Sequence, residues 1–178
     1  MPTYVLMAGL PGTGKSSLAN VLAGRLNGVV LSKDTLRAAL FPGPLTDYSR
    51  EQDDLVFTML LEGAKYIATH RRAEFIFLDG RTFSRGEQIE QATGAAETAG
   101  CGWKILLVTC RDEIAVARLA ADAVRHPAAN RNEQLYREVK ARFEPIVSRH
   151  LEIDTSQSLD DSVKYSLRYL SGATFPIE

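Results

Sequence analysis

The chain has 178 residues, 45% of them hydrophobic and 24% charged, with a formal net charge of −1. That composition excludes a disordered chain, and the balanced charge gives no global basic field of the kind that draws nucleic acid or anionic membranes. No apolar run approaches the length that spans a bilayer, so no membrane partner is expected.

Met1-Pro2-Thr3-Tyr4 lacks a basic stretch leading into a long apolar segment. No signal peptide is therefore expected, and the reading is cytoplasmic. Tyr4–Ala8 reads as a buried strand running into a glycine-rich stretch from Gly9 to Gly14, with a helix from Lys15 to about Leu26. Val29–Leu31 is a second strand, and Asp34–Leu40 a short helix that Pro42 and Pro44 terminate. From Arg50 to Arg71, Val56, Leu60, Ala64, Ile67 and Ala68 recur at helical spacing. Phe75–Leu78 is a third strand closed by Asp79-Gly80, followed by a helix near Glu87–Ala99 and a fourth strand at Ile105–Val108. Two helices joined through Arg125-His126-Pro127 come next, then a strand at Leu151–Asp154 and a closing helix at Leu159–Leu170. Cys101 and Cys110 flank the fourth strand without histidines at ligand spacing, and read as reduced and structural.

Strands alternating with helices predict an α/β fold, a parallel sheet covered by helices on both faces. With no repeat or linker in view, one domain is expected over residues 1–178. The tail from Ser171 to Glu178, with Phe175 and Ile177, either packs on the core or serves a partner.

Gly9-Leu10-Pro11-Gly12-Thr13-Gly14-Lys15-Ser16 matches G-x-x-x-x-G-K-[ST] in full, between a strand and a helix. Glycines let the backbone turn tightly and aim its N–H groups at phosphate oxygens, and the helix start adds its positive dipole end. Lys15 supplies charge for the β- and γ-phosphates, and the Ser16 hydroxyl suits Mg²⁺. Ser17 belongs with this loop as a nucleotide-binding residue. The ligand expected here is ATP with Mg²⁺; no Asn-Lys-x-Asp stretch for guanine is present.

Asp79, after four apolar residues, reads as a second Mg²⁺ position, or as a turn-forming Asp-Gly. Asp34 can accept the proton of an attacking hydroxyl, can N-cap its helix, or both. Arg37, one turn on, would face the acceptor or its anionic group. Arg111, Arg118, Arg125 and Arg131 read either as arginines of a closing lid that neutralise charge on a transferred phosphoryl group or as solvated helix-surface arginines, and His126 reads as a turn residue.

These stretches together, Gly9–Ser16, Lys33–Arg37, Phe77–Asp79 and the arginine-bearing segment, resemble the small P-loop kinases. That group includes polynucleotide 5′-hydroxyl kinases, adenylylsulfate kinase, chloramphenicol phosphotransferase and zeta-toxin-like kinases. The resemblance implies a three-layer P-loop fold, a five-stranded parallel sheet in the order 2-3-1-4-5, and a helical lid at about 118–132. It implies Asp34 as general base, Arg37 at the active site, and Arg118 or Arg125 on the transferred phosphate. It also implies that the nucleobase packs on Arg118 and the segment near Asp154-Thr155. Phe41, Tyr48, Phe57 and Phe83 are candidates for an aromatic clamp on the acceptor, with core packing as the alternative.

The expected activity is transfer of the ATP γ-phosphate to a hydroxyl of a small molecule or nucleotide. A polynucleotide 5′-kinase and an ATP-binding switch with slow hydrolysis are the alternatives. A nucleic-acid acceptor is not favoured, because the segment from Phe41 to Arg50 carries two prolines and one cation, Arg50.

Overall fold

The computed structural model of the protein describes residues 1–122 and 132–172. Five strands, β1 (Thr3–Ala8), β2 (Gly28–Ser32), β3 (Phe75–Asp79), β4 (Gly102–Thr109) and β5 (Leu151–Asp154), form one sheet. All neighbours pair in parallel, in the order β2-β3-β1-β4-β5. The described helices are α1 (Lys15–Arg25), α2 (Lys33–Leu40), α3 (Arg50–Thr69), α4 (Gly86–Thr98), α5 (Asp112–Asp122), α6 (Glu133–Ala141) and α7 (Leu159–Leu170). This is the predicted architecture. Among the described residues no helix is long and apolar enough to cross a membrane.

The pleat of β1 sorts the core into two layers. Tyr4, Leu6 and Ala8 face one side with Phe57 and Leu60 of α3 and Ile89 and Ala92 of α4. Val5 and Met7 face the other with Leu18 and Leu22 of α1 and Val163 and Leu170 of α7. A strand buried on both faces reads as a continuous apolar run, which is how Tyr4–Ala8 looks in sequence. Strand β4 starts three residues before the apolar run that announces it, because Gly102 already pairs with Thr3. Its Lys104 is accommodated by donating to the Tyr169 carbonyl at 2.6 Å.

Serines fix several helix starts. Ser32 accepts from the Thr35 amide at the head of α2, Ser49 from Gln52 at α3, and Ser158 from Asp160 and Asp161 at α7. The N-cap expected of Asp34 thus belongs to Ser32, and Asp34 sits inside the first turn of α2. The register Ser32↔Asp79 brings the ends of β2 and β3 level. Gly80, at φ +84, then passes so close to α2 that a Cβ there would lie 3.0 Å from the Asp34 nitrogen. The carboxyl ends of β1, β2 and β3 therefore open into one crevice, the place where an open α/β sheet collects ligands.

Candidate active site

The loop between β1 and α1 is pinned from outside. Gly9 has φ +134, and a Cβ on it would lie 2.2 Å from the Val108 carbonyl oxygen. At Gly12, φ +80, a Cβ would lie 2.5 Å from the Ala115 carbonyl oxygen. Neither position has room for a side chain, so the loop seats directly on β4 and α5. Thr13 donates to the Leu10 carbonyl at 2.9 Å, closing the loop on itself, and Leu10 packs with Ala115, Leu119 and Tyr136.

Gly14 enters α1 in the left-handed conformation, and this helix has neither a side-chain cap nor an acidic residue in its first turn. Its first N–H groups are thus left for an anion, as the loop motif requires. Lys15 is buried, and its ammonium donates to the carbonyls of Gly9 at 2.9 Å and Leu10 at 2.6 Å. Ser16 and Ser17 are exposed.

Beside this loop lies a cavity of about 980 Å³. Pro11, Gly12, Gly14, Lys15, Ser16 and Ser17 form one wall, while Asp34, Arg37, Asp79 and Arg118 contribute to the others. Gly9, Leu10 and Thr13 stand behind that wall as supports. Asp79 is 4% exposed, and its Oδ1 is buried with no hydrogen-bond partner among the described residues. An orphaned carboxylate oxygen beside a phosphate loop suits a hydrated divalent cation, so Ser16 and Asp79 fit Mg²⁺. No cluster of three or more His, Cys, Asp or Glu that could hold a metal occurs among the described residues. A metal here would therefore depend on phosphate oxygens as well.

Across the cavity, Asp34 pairs with Arg37 at 3.3 Å. Both join a cluster whose centre sequence reasoning missed. Asp53 Oδ1 accepts from Lys33 Nζ and Arg37 Nη2, and its Oδ2 lies 3.9 Å from Arg81. Burial works to raise the Asp53 carboxyl, but Lys33, Arg81 and Arg37 outweigh it and hold the group below the usual carboxylate range. Burial pulls the Lys33 ammonium below its ordinary value against the opposing pull of Asp53. Arg81, also missed, pairs with Asp54 at 2.8 Å and lies over the Phe57 ring, 4.3 Å from its centroid. One signal for Asp53 was present in the sequence. It precedes Val56, Phe57 and Leu60 by three, four and seven residues, which places a carboxylate on the buried stripe of α3.

On the nucleotide side, Arg118 donates to Thr155 Oγ1 at 3.0 Å and to the Thr155 carbonyl at 2.9 Å. Thr155 in turn donates to the Thr13 carbonyl at 2.7 Å. Arg118, the segment after β5 and the phosphate loop are thereby joined. Arg125, His126, Arg131, Phe175 and Ile177 lie outside the described residues, as does most of the expected lid.

Of the four clamp candidates, Tyr48 alone lines the cavity, with the Arg37 guanidinium 5.4 Å from its ring centroid. Phe57 and Phe83 are fully buried and meet edge to face at 5.8 Å, so for them core packing is the correct reading. Phe41 caps the end of α2 away from the cavity wall.

The sheet order, the glycine loop and the uncapped helix behind it define a P-loop nucleotide-binding fold. The family model of the AAA domain matches residues 5–146, and the chain belongs to that family. No protein of curated function matches the sequence. Among solved structures, a candidate kinase from Chloroflexus aurantiacus j-10-fl has a TM-score of 0.73 at 20% identity, covering 97% of this chain and 98% of that one. A sugar kinase from Janibacter sp. HTCC2649 gives 0.70 at 15% identity, with 97% and 96% covered. The APS kinase of Mycobacterium tuberculosis, in complex with AMPPNP and APS, gives 0.65 at 17% identity, with 96% and 98% covered. At these identities the likeness is one of fold.

Proposed function

We propose that this protein is an ATP- and Mg²⁺-dependent kinase that moves the γ-phosphate to a hydroxyl of a small molecule. The observation that carries the reading is the placement of Asp34 and Arg37 on the same cavity as Lys15 and Ser16. A nucleotide switch needs the phosphate loop but has no use for a half-buried carboxylate facing it. The sugar kinase and the APS kinase of the same fold support the reading by analogy.

The loop amides and the α1 terminus would hold the phosphates, with Lys15 turning from the Gly9 and Leu10 carbonyls to the β- and γ-oxygens. Ser16 and Asp79 would hold Mg²⁺, which when bound neutralises phosphate charge. Asp34 takes the proton of the acceptor hydroxyl as its oxygen attacks in line. Arg37, held by Asp34 and Asp53, steadies that carboxylate and faces the acceptor. Arg118 fixes the nucleotide side, and Arg125 stands as a candidate for the transferred phosphate.

The test is ADP release from Mg-ATP across hydroxyl acceptors: sugars, hydroxy acids, nucleosides, adenylylsulfate and 5′-hydroxyl oligonucleotides. Acceptor-dependent release that Lys15→Ala abolishes is expected. Asp34→Ala should keep ATP binding and lose transfer. Slow release indifferent to every acceptor would favour a switch, and steeply salt-dependent use of oligonucleotides would favour a polynucleotide kinase.

A further inference from the structure

The acceptor side of the cavity carries more positive charge than its carboxylates cover. Asp53 serves both Lys33 and Arg37, Asp54 serves both Arg81 and Arg50, and Glu87 serves both Arg50 and Arg85. Arg142 also lines the cavity and adds a further cation. Counting Asp34 and the buried Asp79, five carboxylates thus face these six cations.

Arg81 stands out within that set. It is 3% exposed, lines the cavity, and its Nε and Nη1 are buried with no hydrogen-bond partner among the described residues. A buried guanidinium with two unmet donors is costly. The surroundings nonetheless hold it in place. Phe57 lies beneath the guanidinium, Phe83 braces Phe57, and the chain on either side is bent into left-handed conformations at Gly80 (φ +84) and Phe83 (φ +51). Gln88, 6% exposed on the same cavity, has its side-chain oxygen buried and unpaired. Two unmet donors and an unmet acceptor on one cavity suit a ligand that carries both an anionic group and a hydroxyl.

We propose that Arg81, backed by Arg37 and sharing its cavity with Gln88, is the seat for an anionic group of the phosphate acceptor, so that the substrate is a hydroxylated carboxylate or phosphate ester rather than a neutral alcohol. This rests on the kinase reading for its biological meaning. The close passage of Gly80 against the Asp34 nitrogen sets the seat beside the general base. Binding the anion there would bring a neighbouring hydroxyl of the same molecule to Asp34, which is orientation supplied by the part of the substrate that does not react. Arg81 itself follows the end of β3, outside the cation-poor segment from Phe41 to Arg50.

The test fills the phosphate loop with Mg-AMP-PNP and then titrates malonate, inorganic phosphate and the neutral isostere malonamide, following the unfolding temperature and calorimetric heat. Malonate or phosphate should bind and malonamide should not, and Arg81→Met should weaken anion binding at least tenfold with AMP-PNP affinity unchanged. The comparison of malonate with malonamide in the unaltered protein stands even if Arg81→Met fails to fold. In parallel, ADP release is measured with hydroxy acids against their primary amides and sugar phosphates against the parent sugars. The anionic member should be favoured at least 100-fold in kcat/KM. Equal use of both members, or no anion binding once the loop is filled, overturns the proposal and leaves the kinase reading standing. Anion binding lost in Arg81→Met, without turnover of any acceptor, upholds the seat and counts against the kinase.

Discussion

Replacing Asp53 with alanine removes a carboxylate that pairs with both Lys33 and Arg37, whose side chains are only 8% and 5% exposed. Breaking a fully buried pair costs roughly 3–5 kcal/mol, because the remaining charge is stranded. Here Asp53 itself is 27% exposed and Asp34 still touches Arg37, so the expected loss falls to about 2 kcal/mol. With a urea slope of about 2 kcal/mol/M for a domain of this size, the midpoint should move down by about 1 M. Asp53→Asn keeps an accepting oxygen and should lose about half as much. Equilibrium urea unfolding by circular dichroism measures both, and AMP-PNP binding should be unchanged because the phosphate loop lies across the cavity. A shift below about 0.2 M for the alanine variant would show that water already carries these cations, and the cluster would lose its structural meaning.

The pH dependence follows from the same group. The Asp53 carboxyl sits below its ordinary 3.8 in the folded state, so its contribution is complete above that value and fades as pH falls through the lower native one. Urea midpoints should therefore drop more steeply below pH 3.8 in the unaltered protein than in Asp53→Asn. Gly12→Ala should cost at least about 2 kcal/mol and abolish AMP-PNP binding, since its Cβ meets backbone at 2.5 Å with φ +80. Gly24→Ala, in α1 with nothing within 4 Å, should instead stabilise by about 0.5–1 kcal/mol in the same urea assay. Tyr4→Phe should stabilise by about 1 kcal/mol, because the fully buried hydroxyl has no partner and burial already pushes its pKa up to about 12. A loss of stability in Tyr4→Phe would show that the hydroxyl is satisfied.

The strands and the phosphate loop were legible because each is written locally, as an apolar run or as glycines at fixed spacing. Asp34, Arg37 and Asp79 were singled out for a related reason: they lie at or shortly after strand ends, and all three line one cavity. Asp53 and Arg81 were not found, since their meaning lies in pairs 16 to 27 residues apart that form only when β2 and β3 align Ser32 with Asp79. In sequence, Asp53 looks like one more acid complementing a helix dipole, and Arg81 like the residue after a turn. The misassigned cap at Asp34 has the same root. Ser32 stands two residues earlier, and only the bend of the chain into α2 shows which oxygen reaches the Thr35 amide.

The partition of the core by β1 bears on how such a protein can change its chemistry. The phosphate-binding helix α1 rests on one face of the sheet, while α3 and α4, which bring Asp53, Asp54 and Gln88 to the cavity, rest on the other. Substitutions that reshape the α3–α4 layer therefore repack against side chains that never touch α1. On the kinase reading proposed above, a lineage can exchange one acceptor for another on that side while the phosphate-binding loop stays as it was, and the sheet between them keeps the two histories separate.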